Sequence, residues 1–197
     1  MHNGIPRNIK PSYRSRLTVS ELELRAAQLR ELLRACVVCA RECGAQRLNG
    51  QQGVCRSTNV VVISHAGPHY GEEPELVGTF GSGTIFFSSC NLKCAFCQNY
   101  EISQLREGYP VSIRELSECM LQLQTRGCHN INLVTPTHFA PQIVEALAEA
   151  VKMGLSIPLV YNCGGYESVQ TLKLLENIID IYMPDIKYSD DQNARRY

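Results

Sequence analysis

From Gly83 onward, short apolar runs alternate with amphipathic stretches, and each run ends in polar residues. The run TIFFSS at 84–89 predicts a buried strand that stops at Cys90. Ser112 and Glu115 form an S-x-x-E capping box for a helix that turns Ile113, Leu116, Met120 and Leu123 inward and closes at Gly127. INLV at 131–134 reads as the next strand. A helix then begins near Pro141, buries Ile143, Val144, Leu147 and Val151, and stops at Gly154, ahead of a strand IPLVY at 157–161. Residues 167–176 give a short helix with Val169, Leu172 and Leu175, and IIDIYM at 178–183 gives a fourth strand. Strands separated by helices require right-handed crossovers, so the fold class is α/β with a parallel sheet, a partial (β/α) barrel of about four units. In such a barrel the reactive residues sit at the C-terminal strand ends. Those ends read SSC, TPTH, NCGG and PDIK, more polar than a packed core requires.

The N-terminal third has a different pattern. Residues 1–17 are polar with two prolines and predict a weakly ordered arm. Ser20 and Glu23 suggest a capping box for a helix with Leu22, Leu29 and Leu33 along one face and Arg30 and Arg34 near its end. A loop region rich in Gly and Gln follows, then an apolar strand VVVIS at 60–64. The expected organisation is an N-terminal arm, helix and cysteine module over 1–64, followed by a truncated barrel core over 65–197.

Charge narrows the partners. Lys+Arg and Asp+Glu are both 19 with no long run of either sign, which excludes the basic footprint of a nucleic-acid binder. No apolar stretch approaches the roughly 20 residues needed to span a bilayer, and the N-terminus lacks a signal-peptide pattern, so a cytoplasmic location without membrane partners is expected.

Cysteine changes the picture most, because seven of the ten fall in two tight groups. In a cytosolic chain of this size, grouped thiols are more often metal ligands than disulfides. Cys90, Cys94 and Cys97 form C-x3-C-x2-C directly after the first barrel strand. Three thiolates can hold three irons of a cubane and leave the fourth open to an exchangeable ligand. The same spacing also suits a structural zinc site completed from elsewhere, or reduced core thiols. Cys36, Cys39, Cys43 and Cys55 form C-x2-C-x3-C-x11-C, a complete set of four for zinc or a second iron–sulfur cluster. Cys119 and Cys128 are isolated and read as small core residues.

The run GSGTIFFSSCNLKCAFCQN at 81–99 resembles the signature of the radical S-adenosylmethionine (SAM) superfamily. With EEP at 72–74, NINLVTPTHF at 130–139, YNCGGYE at 161–167 and PDIKY at 184–188, the chain resembles an uncharacterised group related to pyruvate formate-lyase activating enzyme. The resemblance implies a 4Fe–4S cluster on Cys90, Cys94 and Cys97 whose open iron is chelated by SAM. Reductive cleavage then yields a 5′-deoxyadenosyl radical that abstracts hydrogen from a substrate, which includes a protein glycine among the candidates. It implies an electron donor such as flavodoxin or ferredoxin, and no protein side chain as catalyst. Phe96 would line the adenine side, Lys187 would face the cofactor carboxylate, and Asp185 would help bind a monovalent cation. Asn162 and Cys163 stand where the activating enzymes have Asp-Thr, so the cation site loses a charge here. Met183 matches a methionine before their D-x-K, and Thr135 to His138 stands where many superfamily members have Gly-Gly-Glu. Glu72, Glu73, His65 and His69 are motif-like without a derived role. The alternative is a non-catalytic iron–sulfur, zinc-binding or electron-transfer protein, a shortened remnant of the family, since superfamily cores generally have six β/α units.

Overall fold

The computed structural model describes residues 10–196. Six strands, β1 (Val61–His69), β2 (Ser82–Phe87), β3 (Tyr109–Val111), β4 (Ile131–Val134), β5 (Leu159–Cys163) and β6 (Ile181–Pro184), form one sheet in the order β3-β1-β2-β4-β5-β6. The helices are α1 (Ser12–Ser15), α2 (Val19–Glu31), α3 (Pro74–Val77), α4 (Ile113–Thr125), α5 (Ala140–Lys152), α6 (Val169–Leu174) and α7 (Asp191–Arg196). β2, β4, β5 and β6 pair in parallel, which makes the expected partial β/α barrel.

The antiparallel pairing at one edge was not anticipated, nor was the short strand β3. β1 pairs with β2, and β3 with β1. The apolar run expected at 60–64 therefore continues through HAGPH to His69, and the boundary expected between 64 and 65 falls inside a strand. Pairing with the apolar β2 carries this Gly- and Pro-containing half, past an irregular register between Ile63 and His65.

The helices cover one face. α5 is buried almost all round because Ala140, Ala146, Ala148 and Ala150 let α2 and α4 pack close on either side, while Ile143, Val144 and Leu147 fill the layer beneath. The α4 box forms as expected, with Ser112 accepting from the Glu115 N–H. The α2 box forms two residues earlier than expected: Thr18 is the N-cap and the Glu21 carboxylate accepts from its N–H. TVSELE contains overlapping T-x-x-E and S-x-x-E patterns, and both starts leave Leu22 and Leu29 buried, so the apolar pattern did not separate them.

The expected loose arm is also corrected. Residues 1–9 lie outside the described residues, but 10–17 are tied down. Tyr13 is fully buried and its hydroxyl donates to the Ile157 carbonyl at 2.7 Å. Arg14 donates to the Leu155 and Val151 carbonyls, and Asp180 accepts from both the Ser12 and Leu159 N–H groups. These partners lie more than 130 residues away, and no local pattern announces them. Among the described residues no helix is long and apolar enough to cross a membrane.

Tyr13→Phe should keep the packing and leave the Ile157 carbonyl without its donor. A loss of about 1–2 kcal/mol is expected in urea unfolding, against about 3–5 kcal/mol for Tyr13→Ala.

Candidate functional site

β2 delivers the chain to Cys90 at the same end of the sheet where β4, β5 and β6 finish. The register sets Val134 beside Asn162 and Cys163 beside Pro184, and backbone bonds from Thr135 to Asn162 and from Asp185 to Cys163 continue the row past the strands. The groups expected from separate stretches of sequence therefore meet at one rim.

The cysteine loop is held by its backbone. Ser89 and Lys93 have positive φ of 72° and 63°, conformations that L-residues adopt only when the surroundings impose them. Thr135, at +57°, is a third such residue on the rim, and β-branching makes it the most strained of the three. A π-helical turn at Glu101–Leu105 folds back over the loop. From it Gln104 donates to the Cys94 carbonyl at 2.9 Å, the Ile102 carbonyl accepts from the Ser89 N–H, and Ser103 shares a 3.2 Å hydrogen bond with the Cys97 sulfur. The Leu92 N–H also points at the Cys90 sulfur, at 3.4 Å. Sequence reasoning missed Ser103 and Gln104; their signal was the polar pair in EISQL directly after CQN.

Above the loop is a cavity of about 1180 Å³. It is lined by Cys90, Cys94, Cys97 and Phe96 from the loop, and by Asn162, Cys163, Met183, Asp185 and Lys187 from the strand ends. Burial raises the Cys94 thiol and the neighbouring Cys90 adds to this, while Lys187 opposes both. Cys163 is pushed up to about 12 by burial and then by Glu167, so it stays a neutral thiol. Lys187 and Asp185 form an ion pair with each other. Phe96 is largely exposed and meets Tyr188 edge-on, with ring centres 5.8 Å apart. At Gly164 a methyl group would sit 2.3 Å from Leu92 Cδ1, which is how closely the turn after β5 approaches the loop.

The opposite wall contains the EEP stretch. The Glu72 carboxylate meets His69 Nδ1 at 2.9 Å and accepts from the Asn132 amide at 3.0 Å, and Glu72, Glu73 and His69 all face the cavity. His65 packs instead near Phe86. His138 does not reach the cavity. It is buried beneath the loop, where Nε2 lies 2.8 Å from the Ser88 carbonyl; that pairing assigns the proton to Nε2. Cys128 is buried as expected, and Cys119 packs partly buried against the core.

The four N-terminal cysteines gather in the segment after α2, with Cys36, Cys39 and Cys55 buried and Cys43 half-buried. Among the described residues no three His, Cys, Asp or Glu side chains already stand in metal-coordinating geometry, so in both groups the thiols are neighbours rather than a closed shell.

Residues 84–197, more than half of the chain, match the sequence profile of the Radical SAM superfamily. The chain belongs to that superfamily. An uncharacterised protein of Methanocaldococcus jannaschii is 29% identical over 184 residues, which cover 89% of this chain and 52% of the relative. The chain thus spans about half the length of the curated relative it matches. No solved structure gives a significant match.

Membership in the radical SAM superfamily implies a 4Fe–4S cluster and SAM. The residues present fit both. The loop offers three soft thiolate donors without a fourth, and the cavity above it exceeds the roughly 300–1,000 Å³ of common small-molecule sites.

His138 supplies a pH test of the loop's support. Desolvation lowers its pKa from 6.5 to about 3, so between those values the unfolded chain binds the extra proton. Its contribution is complete above pH 6.5 and is lost as pH falls toward 3, at up to about 1.4 kcal/mol per pH unit. Unfolding midpoints measured from pH 7 to pH 4 should fall less steeply for His138→Gln than for the natural chain.

Proposed function

We propose that this chain is a radical SAM enzyme of the activating-enzyme type, with its cluster on Cys90, Cys94 and Cys97. The observation that carries the reading is that these thiols and the polar strand ends at Asn162, Cys163, Asp185 and Lys187 line one cavity. When bound, the reduced cluster and SAM supply reductive cleavage to methionine and a 5′-deoxyadenosyl radical that abstracts hydrogen from the substrate. The chain's own residues bind, orient and shield. Lys187, a compact cation on the rim, receives the cofactor carboxylate on leaving Asp185, and Phe96 covers the adenine side. The Leu92 N–H and the Ser103 hydroxyl, which lie against the Cys90 and Cys97 sulfurs, would raise the reduction potential of a cluster held there relative to bare thiolates. With Asn162 neutral, a monovalent cation at these strand ends would have Asp185 as its carboxylate ligand.

The substrate we assign is a protein segment with a glycine hydrogen donor, and the electron donor a flavodoxin or ferredoxin. Support comes from the rim, where Phe96 and Ile186 are exposed and a large partner has access. The competing reading is a non-catalytic metal or electron-transfer protein; among the described residues β6 is the outer strand beside the cavity.

Anaerobic reconstitution with iron and sulfide, followed by dithionite and SAM, separates the two. The radical reading expects 5′-deoxyadenosine from the natural chain and only background from Cys94→Ala. Lys187→Ala should weaken SAM binding about tenfold, roughly 1.4 kcal/mol. Cluster-loaded protein that binds SAM yet forms no 5′-deoxyadenosine would sink the enzymatic reading.

A further inference from the structure

Among the described residues the largest fully buried side chain is a cation. Arg47 is 1% exposed and, among the described residues, forms no ion pair with a carboxylate. Its guanidinium donates to the Thr58 carbonyl through Nε and Nη2, lies 5.9 Å from the centre of the Phe139 ring, and points Nη1 at the Cys36 sulfur from 3.8 Å. A buried charge needs a compensating charge, and a carbonyl dipole with an aromatic face is a weak substitute. The candidates beside it are thiols, which are neutral unless something removes their protons.

Cys36, Cys39 and Cys55 are themselves buried, and Cys43 is half-buried. The sulfurs are also close together. A Cβ on Gly53 would stand 3.3 Å from the Cys43 sulfur and 3.4 Å from that of Cys55, so these two thiols flank one glycine. Four soft thiol donors within one short segment make a complete tetrahedral set for zinc, with Zn–S of about 2.3 Å.

The same segment grips the reactive loop. Arg41 donates to the carbonyls of Asn91 and Leu92 and stacks on Tyr166, and the Ala40 N–H donates to the Tyr166 carbonyl. Asn91, 2% exposed, donates to that Tyr166 carbonyl as well, and its Oδ1 lies 3.9 Å from the Cys90 sulfur.

We propose that Cys36, Cys39, Cys43 and Cys55 bind one zinc ion as a tetrathiolate whose double negative charge Arg47 halves, and that this centre fixes the Cys90–Cys97 loop through Arg41 and Asn91. Binding of Zn²⁺ displaces the four thiol protons to solvent and leaves a dianionic centre beside the guanidinium. No electron is transferred, and the inference stands whether or not the cavity performs radical chemistry.

The test uses the full chain carrying Cys90→Ala, Cys94→Ala and Cys97→Ala, which removes the reactive ligands so that a failure of radical chemistry cannot affect the result. Supplied with zinc alone, it should retain one zinc per chain after desalting, and adding Cys43→Ser should reduce this more than tenfold. Arg47→Gln should weaken zinc binding at least tenfold. Stripping the zinc with a chelator should speed amide hydrogen exchange in residues 90–97 at least tenfold. Arg41→Ala, which touches no ligand, should keep the zinc yet show the same faster exchange. Three results would overturn the proposal: no zinc bound, iron and sulfide bound at these cysteines in preference to zinc, or loop exchange indifferent to both zinc removal and Arg41→Ala. Unchanged zinc affinity in Arg47→Gln would overturn the counter-charge role.

Discussion

Parallel pairing of β2 with β4, β4 with β5 and β5 with β6 puts four C-terminal strand ends side by side, and the whole cavity depends on that alignment. Without it the cysteine loop, Asn162 and Asp185–Lys187 would be isolated polar turns. The alignment rests in turn on α5, whose alanines allow two helices to pack against it and press the sheet from one side. Packing on one face thus determines chemistry at one end.

The cysteine loop itself has little side-chain packing to hold it. Its constraints come from backbone carbonyls and N–H groups: Gln104 on Cys94, Arg41 on Asn91 and Leu92, and Ile102 on Ser89. Two residues in the loop accept positive φ under these restraints. Such a loop can keep its thiols close without drawing them together, as suits a site completed by an inorganic core. His138 contributes from below, and its burial keeps it uncharged under the Ser88 carbonyl.

The barrel strands and α4 were legible because their apolar runs and capping residues are local. INLV at 131–134 and the box at Ser112 appear where the pattern put them. The superfamily was legible from the cysteine spacing and its neighbours, and the profile match agrees. Three kinds of feature were hidden. β1 needs β2 to be a strand along its full length, since HAGPH has weak strand character of its own. The segment around Tyr13 is ordered by carbonyls about 140 residues away. Arg47 looks like a loop cation in GAQRLNG, and only its burial shows that the fold must supply a counter-charge. The groups lining the cavity were individually visible, but the Glu72–His69–Asn132 contact across its far wall was not, because it joins three elements.

The two edges of the sheet are unlike. β3 is three residues long and has Pro110 in the middle, so it offers no continuous row of donors to another strand. Among the described residues β6 has no strand on its outer side, and its Ile181 and Tyr182 are each 40% exposed. The sheet is therefore directional: it is blunt behind β1 and open beside Asp185 and Lys187. Any backbone that extends it must dock along β6, and in doing so it would become the missing wall of the cavity, coupling enlargement of the sheet to enclosure of the site.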